Sequence, residues 1–475
     1  MKRAALLIAV GWAATLGLTA TGQAPPTATQ TPWNVVFILA DDLGWTDLGC
    51  YGSDYYQTPN LDRLAADGMR FTQNYSACNA CSPTRSALMT GMYPARTHLT
   101  DWIPGWKGPR NAKLLPPPGW TQRLEHRHTT IAEALRDGGY ATYHIGKWHL
   151  GKPGWYPEDS GFDVNIAGAA RGSPPSYHYP YKGLAERWHS HLTETERKDL
   201  YLTDRLAGEA AALVEKAKGR PFFMYLSFHA VHTPIQGRSD LVAKYKQLPP
   251  GKHHKNAVYA AMVEAVDEAV GRVRTQIEKA GIAGHTLIVF TSDNGGLFRQ
   301  RGYATGNAPL RGGKGQQWEG GIRVPAIVHW PGVTKPGSVC NEPIITMDFY
   351  PTLLEITGVP GNPEHSANVD GLSLVNLLKD ADAPLKRDTL YWHYPHYNVI
   401  RGIPHSIIRA GNYKLITYYE DDHIELYNLA EDIGEQRNLA ESHPLIAKRL
   451  HTQLRDHLEK VGAQMPVPNP HHTPR

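Results

Sequence analysis

A chain of 475 residues, 41% hydrophobic and 20% charged, is long enough for one large domain and a smaller one and has the composition of an ordinary globular protein. Lys and Arg total 49 against 45 Asp and Glu, and the formal charge of +4 is too small an excess to point to nucleic acid or an anionic membrane as partner. It leaves room for a local basic pocket, and four cysteines in so long a chain exclude a disulfide framework as what holds the fold.

In chain order, Lys2 and Arg3 precede an apolar run over 4–18, and small and polar residues at 19–22 lead into a Pro/Thr-rich stretch over 25–32. This is the order of a secretory signal, assigned to residues 1–24, and it predicts an exported protein, periplasmic or secreted. An uncleaved anchor is the alternative, although the run is shorter than the ~20 residues that span a bilayer. No later segment has the length and apolarity to span, so no stable membrane insertion is expected.

Residues 34–40 (NVVFILA) form a continuous apolar, β-branched run, the pattern of a strand buried on both faces, and end abruptly in Asp41-Asp42-Leu43-Gly44. Similar strands are predicted at 141–145, 222–228, 286–291 and 324–330. Helices are predicted at 130–136, closed by Asp137-Gly138-Gly139, and at 256–280, where Val258, Met262, Val266, Val270 and Val273 recur at helical spacing before Gly281. The alternation predicts an α/β domain over 32–380, a large mixed, mostly parallel central sheet flanked by helices.

A polar stretch near 380–386 reads as a linker. Short strands at 389–393, 406–409, 413–418 and 424–428, then a helix at 445–460, predict a small C-terminal antiparallel sheet with one helix over 387–465. Loops at 105–120 and 168–181, rich in Pro, Gly and aromatics, are long enough to shape a binding site.

Ligands of open α/β sheets sit beyond the carboxyl ends of the strands. Asp41-Asp42 and Asp293-Asn294 fall at two such ends. Three carboxylates and an amide oxygen make a hard, oxygen-only set suited to calcium or magnesium. Each pair alone also reads as a turn or helix cap. Cys78-Asn79-Ala80-Cys81-Ser82-Pro83-Thr84-Arg85 is open to two readings. As Cys-x-x-Cys it is a disulfide or redox pair. From Cys81 onward, Ser82 and Pro83 suit a helix start, which sets Cys81 at the positive end with Arg85 one turn on.

Cys81-Ser-Pro-Thr-Arg85, followed by Ser86-Ala-Leu-Met-Thr-Gly91, resembles the signature of the type I sulfatases, of the alkaline phosphatase-like superfamily. Gly146-Lys-Trp-His-Leu-Gly151 resembles that family's second signature. His232-Thr-Pro234, Leu310-Arg-Gly-Gly-Lys314 and Glu319-Gly-Gly321 follow in the family's order. The matches run from Asn34 to about Leu354, and the C-terminal strands resemble the family's small second domain.

The resemblance implies sulfate ester hydrolysis, with Cys81 oxidised to formylglycine by a formylglycine-generating maturation enzyme, and one Ca²⁺ held by Asp41, Asp42, Asp293, Asn294 and the modified Cys81. The hydrated aldehyde, a geminal diol, would attack sulfur, and its second hydroxyl would let sulfate go, which a serine could not do. The same resemblance gives Arg85 the formylglycine hydroxyl, Lys147 and Lys314 the sulfate oxygens, His232 the leaving alcohol and His149 the proton of the second hydroxyl. His229 is the less favoured of the two nearby histidines.

By position alone, His98, Asp101, Trp102 and His405 are candidates to line the pocket mouth. The Trp- and Tyr-rich loops suit stacking on sugar rings, so a sulfated carbohydrate is the expected substrate, with a small aryl sulfate as surrogate. Cys78 stays a thiol or pairs with Cys50 or Cys340, and Asn74-Tyr75-Ser76 fits a glycosylation sequon. Two rival readings stand: a phosphoester or phosphonate hydrolase of the same superfamily, and a sugar-binding relative without turnover. In the family's terms, lysines stand here where a second metal would sit in the phosphatases.

Overall fold

Alternate residues of Asn34–Ala40 (β1) feed two different cores: Val36, Ile38 and Ala40 one, Val35, Phe37 and Leu39 the other. A strand buried on both faces needs apolar side chains at every position, which is why this run does not alternate with polar residues. In the computed structural model, residues 32–473 are described apart from 107, 110, 182–195, 197–199, 218, 299–303 and 401. The signal expected at 1–24 lies outside the described residues.

Around β1 assemble Met69–Phe71 (β2), Ala141–Gly146 (β3), Val164–Ile166 (β4), Phe222–Ser227 (β5), Thr286–Ser292 (β6), Ala326–His329 (β7) and Ser338–Cys340 (β8). They form one eight-stranded sheet in the order β8-β2-β7-β6-β1-β5-β3-β4. Strand β1 pairs in parallel with β5 and β6, and only β7 runs antiparallel to its neighbours β2 and β6. The mixed, mostly parallel sheet expected from the sequence is therefore present. The predicted strand at 324–330 is shorter than expected. Pro325 has no N–H to give the ladder, so pairing begins at Ala326. Strands β2, β4 and β8 have three residues each, too few for a pattern to announce them.

Among the helices that flank the sheet are Cys81–Thr90 (α1), Ile131–Asp137 (α2), Leu202–Lys216 (α3), Ala257–Lys279 (α4) and Phe349–Thr357 (α5). Helices α3 and α4 cover one face, and α2, α5 and Leu88 and Met89 of α1 the other. Helix α2 starts on a capping box: Thr130 Oγ1 accepts from the Glu133 N–H at 3.0 Å, and Glu133 Oε2 accepts from the Thr130 N–H at 2.8 Å. Asn256 caps α4, accepting from the N–H groups of Val258 and Tyr259.

The C-terminal strands Thr389–Tyr394 (β9), His405–Ala410 (β10), Tyr413–Tyr418 (β11) and Ile424–Asn428 (β12) form a four-stranded antiparallel sheet in chain order. Ile408, Leu415 and Leu426 on one face pack against Pro444–Lys460 (α6), through Leu450 and Leu454. Leu390, Trp392, Ile407 and Ile416 on the other face share a core with Tyr75, Ala87 and Ile345. Ala87 lies in α1, so the small sheet braces the helix that begins with Cys81. Buried Lys414 of β11 reinforces the junction, with Glu319 at 3.1 Å and Glu435 at 2.8 Å. From Pro32 onward the chain is accordingly one compact unit.

Two readings open in the sequence are decided by the structure. Asn74 is fully buried and donates to Thr291 Oγ1 at 3.0 Å, so the sequon is closed to a glycan. All four cysteines are free, so Cys78 and Cys81 are not a disulfide. Among the described residues no helix is long and apolar enough to cross a membrane.

Candidate active site

Helix α1 is buried along all 10 residues and starts at Cys81 itself, with Ala80 in extended conformation before it. No side chain caps it, so its positive end lies uncapped at Cys81. Ser82 ties it down twice, its hydroxyl donating to His149 O at 2.9 Å and accepting from the Ile103 N–H at 3.2 Å. Cys81 is fixed by this anchoring above the ends of β1 and β6. Its Sγ lies 3.7 Å from Asp41 Oδ1.

Each carboxylate at those strand ends meets a cation. Lys147 Nζ reaches Asp41 Oδ2 at 2.7 Å, and Lys314 Nζ reaches Asp42 Oδ1 at 2.7 Å. Arg85 donates from Nε and Nη2 to Asp293 Oδ2, and from Nη1 to Ser227 Oγ at 2.5 Å and to Lys147 O. Asp41, Asp42, Asp293, Asn294, Arg85 and Lys147 are all at most 1% exposed. Burial opposes every one of these charges and the pairing decides the outcome. Burial, with Asp293 and Asp42 nearby, pushes Asp41 up to about 7 despite Lys147. Asp42 and Asp293 end below the usual carboxylate range, against the burial, because of Lys314 and Arg85. Burial pushes the Cys81 thiol up to about 12, so an unmodified cysteine here is a poor nucleophile.

A cation fits between the strand ends on chemical grounds. The Asn294 amide donates through Nδ2 to Asp42 Oδ1 at 2.8 Å and to Gly295 O, while its Oδ1 is buried without a partner. An orphaned buried carbonyl beside three carboxylates is an oxygen-rich cradle. Asp41, Asp42, Cys81 and His232 also bring ligand atoms within 4.8 Å of one another. Gly295 is required here because a Cβ would fall 1.8 Å from Gly320 O.

The two histidines present free lone pairs. His232 Nδ1 lies 2.8 Å from Thr233 O, so that nitrogen carries the hydrogen and Nε2, 3.7 Å from Asp42 Oδ2, does not. His149 Nε2 donates to Ile103 O at 2.5 Å and leaves Nδ1 buried and unpartnered. Burial and neighbouring cations push His232 down to about 3 and His149 well below its ordinary value. His229 is buried with neither ring nitrogen bonded and stays outside the cavity lining.

Above these groups opens a cavity of about 640 Å³, with Cys81, His149, His232 and Lys314 in its lining. Of the four residues chosen by position, only Trp102 lines it. His98 ends the short helix Pro94–Thr97 in left-handed conformation, which turns its Nε2 to Gly462 O at 3.0 Å instead. Asp101 is buried behind the wall, accepting from the Tyr394 hydroxyl at 2.6 Å. His405 is buried too, with Nδ1 on Ile403 O and Nε2 3.5 Å from Asn79 Nδ2. Sequence reading missed Tyr394, Asn398 and Ile400, which line the cavity from the end of β9 and the segment that follows it, where no motif marks them. It also missed Arg171 and Gly172, although the loop carrying them was singled out for its length and composition.

The sulfatase family model matches residues 33–359, and the model for the C-terminal part of N-sulphoglucosamine sulphohydrolase matches 314–464. A sulfatase of Formosa agariphila is 36% identical, with 94% of this chain and 92% of that protein covered. Mouse steryl-sulfatase is 32% identical, over 82% of this chain and 72% of its own. The crystal structure of Ps i-CgsB in complex with k-i-k-neocarrahexaose aligns with TM-score 0.73 and 29% identity, covering 90% of this chain and 93% of the other. The phosphonate monoester hydrolase of Agrobacterium radiobacter, 20% identical with TM-score 0.66, shares the fold.

Proposed function

This chain belongs to the sulfatase family and is a sulfatase, and from that premise we propose that it removes sulfate from a sulfated carbohydrate using formylglycine made from Cys81 beside one Ca²⁺. The observation that carries the proposal is the position of Cys81 Sγ, 3.7 Å from Asp41 Oδ1, at the head of a buried helix and on the wall of the cavity. The oligosaccharide in the complex of Ps i-CgsB supports a carbohydrate as substrate. We also propose export, from the leader-like residues 1–24, and a maturation enzyme as a transient partner.

Asp41, Asp42, Asp293 and Asn294 would hold the calcium. Calcium there would supply positive charge and would make a hydroxyl at position 81 more acidic. The modified side chain supplies two hydroxyls on one carbon, one to attack sulfur and one through which sulfate is afterwards released. Lys147 and Lys314 already point their ammonium groups at the carboxylates of this centre, and in the complex they bind sulfate oxygens, where negative charge is greatest in the transition state. Arg85 keeps Asp293 charged and orients position 81 from one helical turn away. His232 presents Nε2 to the cavity. Bound sulfate beside it raises its proton affinity from the depressed value, so it can carry a proton to the departing sugar oxygen. His149, neutral with Nδ1 free, takes the proton of the second hydroxyl.

Mass spectrometry of the Cys81 peptide tests the premise of the chemistry, because formylglycine is ~18 Da lighter than cysteine whereas the oxidised acids of a thiol are heavier. Sulfate and phosphate esters assayed side by side test the reaction. A converted enzyme that prefers the phosphate ester would overturn it.

A further inference from the structure

Every cation that crowds position 81 is engaged: Lys147 on Asp41, Lys314 on Asp42, Arg85 on Asp293. The cavity above them, about 640 Å³, is far larger than one sulfate group and has the capacity of a small-molecule site. Among the described residues two further cations line it, Lys152 and Arg171. Both are exposed, and neither side chain has an ion-pair partner among the described residues. The one carboxylate in the described lining is Asp42, which Lys314 already neutralises. The mouth therefore carries unbalanced positive charge that the reacting sulfate does not use.

The two cations share one edge. Lys152 follows His149 by three residues, on the same loop. Arg171 adjoins Gly172, which lies so close to the His149 ring that a Cβ there would fall 2.4 Å from Cε1. Ala169 O accepts from the His149 N–H at 3.2 Å, which fixes the same loop a second time. The edge supplied by Val399 and Ile400, beside Gly315, is apolar by contrast, with Val399 60% exposed.

We propose that Lys152 and Arg171 form a second anion-binding subsite, so that the substrate is a polyanionic glycan carrying a further sulfate or carboxylate besides the ester that is cleaved. The inference rests on the sulfatase reading and narrows its substrate class. Walls of low dielectric focus the field of two unpaired cations, and Arg adds a bidentate fork matched to either anion.

Calorimetric titration of the Cys81→Ala protein reads binding without turnover. The probes are glucosamine 6-sulfate, D-glucosamine-2-N,6-O-disulfate, and neocarra-oligosaccharides with one, two or three sulfates. On a matched backbone, an added sulfate is expected to tighten binding about ten-fold at low salt and less at high salt. Adding Lys152→Ala and Arg171→Ala together should erase that gain, with singly sulfated ligands held within about two-fold and the melting temperature unchanged, as both side chains are exposed. No gain on any backbone, or equal weakening of singly and multiply sulfated ligands in the double variant, overturns the subsite. Failure of the converted enzyme to hydrolyse both these esters and a small aryl sulfate would refute the proposed chemistry instead, while the titration would still decide the subsite.

Discussion

Arg85 grips Asp293 through a single oxygen: Nε and Nη2 both donate to Oδ2, at 2.9 and 2.7 Å, and Oδ1 is left facing the Asp42 N–H at 3.2 Å. One carboxylate thereby joins the helix of Cys81 to the ends of two strands. A lysine supplies one point charge and cannot make this fork. Arg85→Lys is expected to lower kcat/KM by about 100-fold or more and to weaken calcium binding, while Arg85→Ala, by stranding a buried carboxylate, destabilises by about 3–5 kcal/mol. Steady-state kinetics and denaturant unfolding measure both. A lysine variant within two-fold of the parent would remove Arg85 from the chemistry.

Chelation should act on stability as well as on rate. With calcium at about 100 times its Kd, mass action adds about 2.7 kcal/mol to the folded state. EGTA is therefore expected to lower the melting temperature and abolish turnover, and added calcium to restore both. Binding also has a pH dependence. Asp41, pushed up to about 7 by burial and by its fellow carboxylates, must lose its proton to act as a ligand. Affinity should weaken as pH falls through that value. Calcium titrations at pH 6 and pH 8 that gave the same Kd would contradict this.

Gly172→Ala places a methyl 2.4 Å from Cε1 of a His149 ring already held by Ile103 O. The ring or the loop must move. A loss of about 10- to 100-fold in kcat is expected, with KM for a small aryl sulfate nearly unchanged, since misplacing a proton acceptor by about 1 Å costs rate before binding. Unaltered kcat would mean that His149 is not poised where the structure has it.

Burial pushes Asp101 up to about 7, against the hydrogen bond from Tyr394. A carboxyl raised above its unfolded value of 3.8 contributes stability that is complete below that pH and is lost as pH rises through about 7. The expected slope is up to about 1.4 kcal/mol per pH unit within that window. Asp101→Asn retains an acceptor for Tyr394 and has no charge to bury. Its stability should vary less between pH 4 and 7 than the parent's, measured by denaturant midpoints. Parallel curves for the two proteins would show that Asp101 does not titrate there.

Much of the fold was readable because its signals are local. Asn34–Ala40 and Thr286–Ser292 announce themselves as strands through unbroken apolar, β-branched runs, and α4 announces itself by Val258, Met262, Val266, Val270 and Val273 at helical spacing before Gly281. The three-residue strands β2, β4 and β8 did not, since pairing partners rather than their own sequences make them strands. The site divides in the same way. Asp41, Asp42, Asp293, Asn294 and the Cys81–Arg85 turn stand in motifs at strand and helix ends. Tyr394, Asn398 and Ile400 reach the cavity from more than 300 residues beyond Cys81, across the seam between two sheets.

What the sequence determined by itself is the family and a set of candidate site residues, because short contiguous motifs carry both. What only the tertiary structure decided is which side of the mouth is basic and which apolar. It also turned His98 away to Gly462, buried Asp101 and His405 behind the wall, and brought Lys152 and Arg171 to one edge beside His149. Those placements depend on how loops distant in sequence pack against one another, and no single stretch of chain encodes that.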